Sequence, residues 1–164
     1  MDRKNLVPIP LGLSGQVYRS PMPFAAFDDG KTTFSEYLDA KINTVVMLTE
    51  VGEDLRHAGK DLAQTYADHQ IETVRFPITD FDTPEDHSSL LDTLDEVLQR
   101  AERGENIAVH CFAGRGRTGL FIALLARKVL NLEGQEAIDW VRKIFPAIET
   151  QEQEQLVQTL DLER

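Results

Sequence analysis

Cysteine occurs once, at Cys111, so no disulfide can close within the chain and no multi-cysteine metal site can be built. The one thiol is free. Long apolar runs are missing as well. No window approaches the roughly 18 uninterrupted apolar residues of a membrane helix, and the opening MDRKNLVPIPLGLSG has no continuous apolar stretch of signal-peptide length. Positive charge is scarce, with 17 Lys and Arg against 28 Asp and Glu, a formal net charge of -11 and a pI near 4.7. Most of such a surface repels a nucleic-acid duplex or an anionic membrane, so positive charge matters only where it is gathered in a pocket. Repeats, low-complexity tracts, blocks of like charge and obvious linkers are also absent. With 41% apolar residues the chain can bury one substantial core. The expectation is a single domain over residues 1–164, soluble and cytoplasmic, monomeric, with no nucleic-acid partner and no stable membrane association.

What is present is an alternation. INTVVML (42–48), IETVRF (71–76) and NIAVH (106–110) are short and rich in apolar or β-branched residues, as strands are. Helical patterns separate them, over Asp54 to His69 and then through Leu90, Leu91, Leu94, Val97, Leu98 and Ala101. For the second helix Thr83 suits the N-cap, Pro84 the first helical position, Asp86 the acid of a capping box, and Gly104 follows the last turn. Residues 77–82 are then a loop. LFIALLARKVL is apolar almost all round, as in a helix buried mid-domain. GQEAIDWVRKIF and EQEQLVQTLDL add two helical segments, with Gly134 and Pro146 as interruptions. Residues 1–30 hold four of the seven prolines and are expected to form extended edge segments packed on the domain, with QVYRS a short strand. The sum is an α/β fold, a central, mostly parallel sheet of four to five strands flanked by helices.

HCFAGRGRTG (110–119) contains two motifs that predict different chemistry. Gly114, Gly116 and Gly119 spell the G-x-G-x-x-G of a dinucleotide site, which needs a following strand ending in a ribose-binding acid. Glu133 and Glu136 lie at about the right distance but in a helical stretch, and Leu120 stands where a Walker A lysine must be. The cysteine reading uses more residues. Cys111 ends a strand, and Phe112, Ala113, Gly114, Arg115 and Gly116 lead into a helix, so successive backbone N–H groups and the helix N-terminus can converge on one anion. A cysteine held there is expected to be the nucleophilic thiolate. Arg117 can bind two phosphoryl oxygens with its planar fork, which lysine cannot. Glycines free of Cβ atoms would let the loop take positive φ and approach the phosphate.

HCFAGRGRT resembles the H-C-x5-R-[ST] signature of the cysteine-dependent protein tyrosine phosphatase superfamily. Short length and the upstream pattern resemble its dual-specificity branch, and FPITDFDTP followed by a helix resembles the kinase-associated (cyclin-dependent kinase inhibitor 3-like) phosphatases over roughly residues 40–160. The resemblance implies a fold with the phosphate loop between the last strand and a buried helix. It also implies a two-step mechanism in which the thiolate attacks phosphorus and an aspartate first protonates the leaving oxygen, then activates water. PITD places Asp80 at the aspartate's position. Asp82 competes, but beside Thr83 and Pro84 it reads more simply as a turn or cap residue. Thr118 matches the hydroxyl that hydrogen-bonds the cysteine sulfur, and His110 the residue that helps hold loop and thiolate. In AIETQEQ, Gln153 matches a glutamine that positions the hydrolytic water, whereas Glu149 stands where another glutamine is usual.

The expected substrate is a phosphorylated protein, with phosphotyrosine ahead of phosphoserine and phosphothreonine. Arg115 occupies a position where phosphoinositide phosphatases carry lysine, so a phosphoinositide or inositol phosphate is the alternative. Phe112 argues against it, because that branch usually has a basic residue directly after the cysteine. Thiolate, guanidinium and carboxylate already supply nucleophile, charge stabiliser and proton donor, so no metal or other cofactor is expected.

Overall fold

The computed structural model describes residues 4–163. The three runs read as strands form β3 (Thr44–Met47), β4 (Glu72–Arg75) and β5 (Ile107–His110), and QVYRS supplies β2 (Val17–Ser20). A fifth strand, β1 (Val7–Ile9), precedes it. The order across the sheet is β1-β2-β5-β3-β4, parallel throughout except for the antiparallel β1–β2 pair. Pro8 is tolerated because β1 is an edge strand. β2 is not an edge segment, as its chain position suggested. It lies between β1 and β5 with all four residues buried.

Alternation along the strands divides the core between the two sheet faces. Val46, Leu48 and Val109 turn towards α4 (His87–Glu102), α5 (Gly116–Leu130), α6 (Gly134–Arg142) and α7 (Gln151–Thr159). Val45, Met47 and Ala108 turn towards α1 (Thr33–Asp39) and α3 (Leu62–Asp68) through Tyr37, Leu62 and Tyr66. The six residues whose spacing marked α4 are its buried face. α5 is buried on every side from Gly116 to Ala126, as its composition requires.

Two boundaries differ from expectation. Residues 54–69 form two helices, α2 (Glu53–Ala58) and α3, because Gly59 takes φ +67 and its N–H closes α2 on Leu55. Asp61 then restarts the helix by accepting from the Gln64 N–H. Likewise α4 is capped by Asp86, which accepts from both the N–H and the hydroxyl of Ser89. Thr83 is not its cap; its N–H is taken by the Asp82 side chain. The loop between β4 and α4 therefore runs from Phe76 to Asp86, longer than residues 77–82, and it carries both candidate acids.

Candidate active site

Parallel strands place the site at their C-terminal ends. Cys111 follows β5, itself flanked by β2 and β3, and is 2% exposed. The backbone of the loop after it is held by its carbonyls. The Cys111 carbonyl accepts from His110 Nδ1 and that of Phe112 from the Met22 N–H. Those of Ala113 and Gly114 accept from the Arg19 guanidinium, and that of Arg115 from the N–H groups of Gly119 and Ile148. With the carbonyls drawn into the surrounding scaffold, the N–H groups of Phe112 to Arg115 have no acceptor among the described residues. Such a ring of N–H groups at a helix N-terminus is a nest for an anion.

Of the three glycines, only Gly114 takes positive φ, +77, and a Cβ there would strike Arg19 and the Ser20 carbonyl. Gly116 and Gly119 are helical and serve a different need from the one expected. A Cβ would meet Glu149 Oε1 at 2.6 Å in the first and the Ile148 backbone at 2.6 Å in the second. They let the segment that carries Glu149 and Gln153 lie directly on the loop.

Arg117 is fully buried. Nη1 and Nη2 donate to the two oxygens of Glu53 at 2.6 and 3.1 Å, and Nη1 also donates to the Ile78 carbonyl. Burial opposes the charge of the guanidinium, but its hydrogen bonds to Glu53 and the charges of Cys111, Glu53 and Asp80 hold it above its ordinary value. Burial likewise pushes the Glu53 carboxyl up, and the Arg117 hydrogen bond, the Glu50 N–H and the charges of Arg117 and His57 together more than offset this, so Glu53 is a carboxylate held below its ordinary value. The Arg117 Nε and the Thr118 hydroxyl are buried polar groups without a partner among the described residues. Two unspent donors at this spot are what a bound oxyanion needs.

Asp80 comes within 3.2 Å of Arg117 Nη2 and is 40% exposed. It lines one cavity of about 150 Å3 with Cys111, Phe112, Arg115 and Glu149. Asp82 turns to its own loop, its side chain on the Thr83 N–H and its carbonyl on Gln153 Nε2. Gln153 is buried beside Gly116, with Oε1 taken by the N–H groups of Glu149 and Thr150 as part of the α7 capping box. Its amide thus ties α7 to the acid-bearing loop. His110 is fully buried; because Nδ1 faces a carbonyl it carries the proton, and Nε2 accepts from the Tyr66 hydroxyl.

The cavity mouth is aromatic. Phe112 stacks on His57 at 4.0 Å and meets Phe27 edge-on at 5.1 Å, and Phe81 stands exposed beside Asp80. Sequence reading had found Cys111, Arg117, Asp80, Thr118, His110, Gln153 and the loop 112–116, all of which the fold gathers here. It missed Glu53 and Arg19. Each is an ordinary charged residue in its local sequence, and only a contact spanning 64 or 95 positions makes it part of the site.

Comparison with known proteins agrees with this geometry. Residues 24–129 match the family described as Tc-R-P, polymorphic toxin system, DSP-PTPase phosphatase. The uncharacterized protein MJECL20 of Methanocaldococcus jannaschii is 34% identical over 93 residues, which span 54% of this chain and 58% of that relative's length. The crystal structure of Tk-PTP in its active form is 29% identical, with TM-score 0.73 over 87% of this chain and 89% of that one. Kinase associated phosphatase, with its catalytic-site cysteine replaced by serine, shares the fold at TM-score 0.82 and 22% identity, over 95% and 94%. PTPMT1 in complex with PI(5)P shares it at 0.71 and 22%, over 87% of each chain. A chain matched over these residues is a cysteine-dependent hydrolase: the protein belongs to the DSP-PTPase phosphatase family, in the dual-specificity branch of the protein tyrosine phosphatases.

Proposed function

We propose that this phosphatase hydrolyses phosphotyrosine in proteins through a phosphocysteine intermediate. The observation that carries the reading is the loop whose carbonyls are tied outward while its N–H groups stand unclaimed around Cys111. In the first step Cys111 Sγ, as thiolate, bonds to phosphorus. The phosphorus–oxygen bond to the substrate breaks, and the Asp80 carboxyl gives its proton to the departing oxygen. In the second step water attacks phosphorus and gives a proton to the Asp80 carboxylate. The sulfur–phosphorus bond breaks, releasing phosphate and restoring the thiolate. Arg117 and the loop amides offset the charge on the three equatorial oxygens throughout, and Thr118 is the donor available to the leaving sulfur.

The aromatic mouth favours a phenyl ring over an aliphatic phosphoester. A phosphoinositide is the second reading, favoured by Arg115 in the loop and by PTPMT1, whose structure holds PI(5)P. The net charge of -11 opposes docking on anionic lipid. Among the described residues no helix is long and apolar enough to cross a membrane, and a cytoplasmic location is proposed with the protein substrate.

Hydrolysis of p-nitrophenyl phosphate by the purified chain tests the chemistry. Cys111→Ser should abolish turnover, and Asp80→Asn should lower kcat by about a hundredfold or more with little effect on binding, whereas Asp82→Asn should leave kcat within about threefold. A larger loss for Asp82→Asn than for Asp80→Asn would assign the acid to the wrong carboxylate. Quench-trapping of phosphate on Cys111 tests the intermediate, and turnover without any trapped phosphoenzyme would count against it.

A further inference from the structure

Between Cys111 and Arg117 stand Phe112, Ala113, Gly114, Arg115 and Gly116, of which only Phe112 and Arg115 extend beyond the loop backbone. Both side chains end on rings supplied from outside the loop. Phe112 is partly buried, its ring stacked on the His57 imidazole at 4.0 Å and 21° and met edge-on by Phe27 at 5.1 Å and 86°. The Arg115 guanidinium lies over the Phe27 ring, 5.5 Å from its centroid. His57 stands in the last turn of α2, four residues after Glu53, and residues so spaced share one face of a helix. From that face Glu53 holds Arg117, directly after the loop, while His57 meets Phe112, directly after the nucleophile. One turn of helix thus grips the loop at both ends.

The backbone of Phe112 needs the second grip. Its N–H is one of those left unclaimed around Cys111, and it belongs to the peptide plane whose oxygen, the Cys111 carbonyl, accepts from His110 Nδ1. The next plane is held through the Phe112 carbonyl, which accepts from the Met22 N–H. A rigid peptide plane tied at one atom still swings about the bonds to its Cα atoms. Fixing the direction of the side chain removes this freedom, because Cβ, the amide nitrogen and the carbonyl carbon share the one tetrahedral Cα. An aromatic contact of this kind is worth about two- to tenfold in an equilibrium.

We propose that His57 is a positioning residue of the nucleophile loop, whose stacking on Phe112 keeps the Phe112 N–H aimed at the equatorial oxygens of the transferring phosphoryl group. The proposal rests on the phosphatase reading above and adds to it a residue that acts only through Phe112. The flat ring of His57 carries the effect, and its nitrogens do not, so another ring at this position serves as well.

Three variants of the full chain test it, with p-nitrophenyl phosphate as substrate, vanadate as inhibitor and Tm as the check on folding. His57 is exposed, and alanine is the better helix former, so His57→Ala removes the ring without weakening α2. It should lower kcat by about tenfold and raise the inhibition constant of vanadate, a five-coordinate mimic of the transition state, by about as much, with KM changed by less than about twofold. His57→Gln, which keeps a polar side chain but no ring, should match it. His57→Phe should restore kcat and vanadate inhibition to within about twofold of wild type. Wild-type kcat and vanadate inhibition in His57→Ala and His57→Gln overturn the proposal. So does a rise in KM alone, which makes the stack a contact for the ester's ring, and so does a His57→Phe protein as impaired as His57→Ala, which assigns the effect to the imidazole nitrogens. Each of these leaves the phosphatase reading standing, whereas no turnover of p-nitrophenyl phosphate by wild type would sink that reading itself.

Discussion

His110 shows how one buried side chain sets a pH limit on the fold. Burial lowers it to about 4 from an ordinary 6.5, outweighing the hydrogen bond to the Cys111 carbonyl and the charge of Asp54, both of which act to raise it. The unfolded chain takes up this proton near pH 6.5 and the folded chain only near 4, so between those values the unfolded state binds more protons and folding weakens as pH falls. Across that window the loss is on the order of 3 kcal/mol, and above pH 6.5 the contribution is complete. Urea unfolding at intervals from neutral to acid pH should show this decline, and His110→Gln, though weaker at neutrality, should show a shallower one. An equal slope in the two proteins would place the acid sensitivity elsewhere. The same residue illustrates what local sequence conveys. A histidine before the cysteine was readable as a supporting residue, whereas its tautomer is set by the Cys111 carbonyl at Nδ1, and its Tyr66 partner from α3 could be read only from the fold.

At the scale of elements, the nucleophile loop was legible because its parts are contiguous. A strand, five loop residues and a buried helix announce themselves by composition, and β5 and α5 fall where expected. What was not legible is the outer frame. β2 was a weak strand signal near the N-terminus, yet it brings Arg19 under the loop. α2 was merged with α3, although its separate first turn is what delivers Glu53 to Arg117. Neither contact has a periodicity or a spacing, because parallel strands set side by side can come from any distance along the chain. Arg19 offers the sharper test of the frame. Its Nε and Nη2 both reach the Gly114 carbonyl while Nη2 also reaches that of Ala113. Lysine keeps the charge but cannot hold two carbonyls with a fixed fork. Arg19→Lys should therefore leave the chain folded, with kcat/KM on p-nitrophenyl phosphate lower by about a hundredfold and with weaker inhibition by vanadate. Unchanged kcat in a folded Arg19→Lys protein would show that the loop holds its shape without this tie.

At the scale of the molecule the dominant fact is negative charge, spread over a surface with few compensating contacts. Arg100 gathers Glu72, Glu96 and Glu105, and Arg103–Glu105, Lys128–Asp95 and Arg142–Glu154 add three further pairs among the described residues. Most of the 28 acidic residues take no part in these pairs. Exposed pairs contribute only about 0 to 1 kcal/mol each, so the repulsion among the remainder decides the sign of the salt effect. At about 0.01 M ionic strength charges interact over roughly 30 Å, and at about 0.1 M over roughly 10 Å, which cuts repulsion across the surface while leaving neighbouring pairs partly intact. The buried Arg117–Glu53 contact is sheltered from this screening. Thermal unfolding should therefore shift to higher temperature as sodium chloride is raised through this range. Catalytic efficiency on an anionic substrate should rise with it to the extent that the long-range field repels the approaching phosphate, then fall once the local cations are screened as well. Scanning Tm and kcat/KM over the same salt series separates the two effects. A Tm that falls steadily with salt would mean that the Arg100 cluster and its fellow pairs outweigh the net charge, and that acidic self-repulsion is a minor force in this fold.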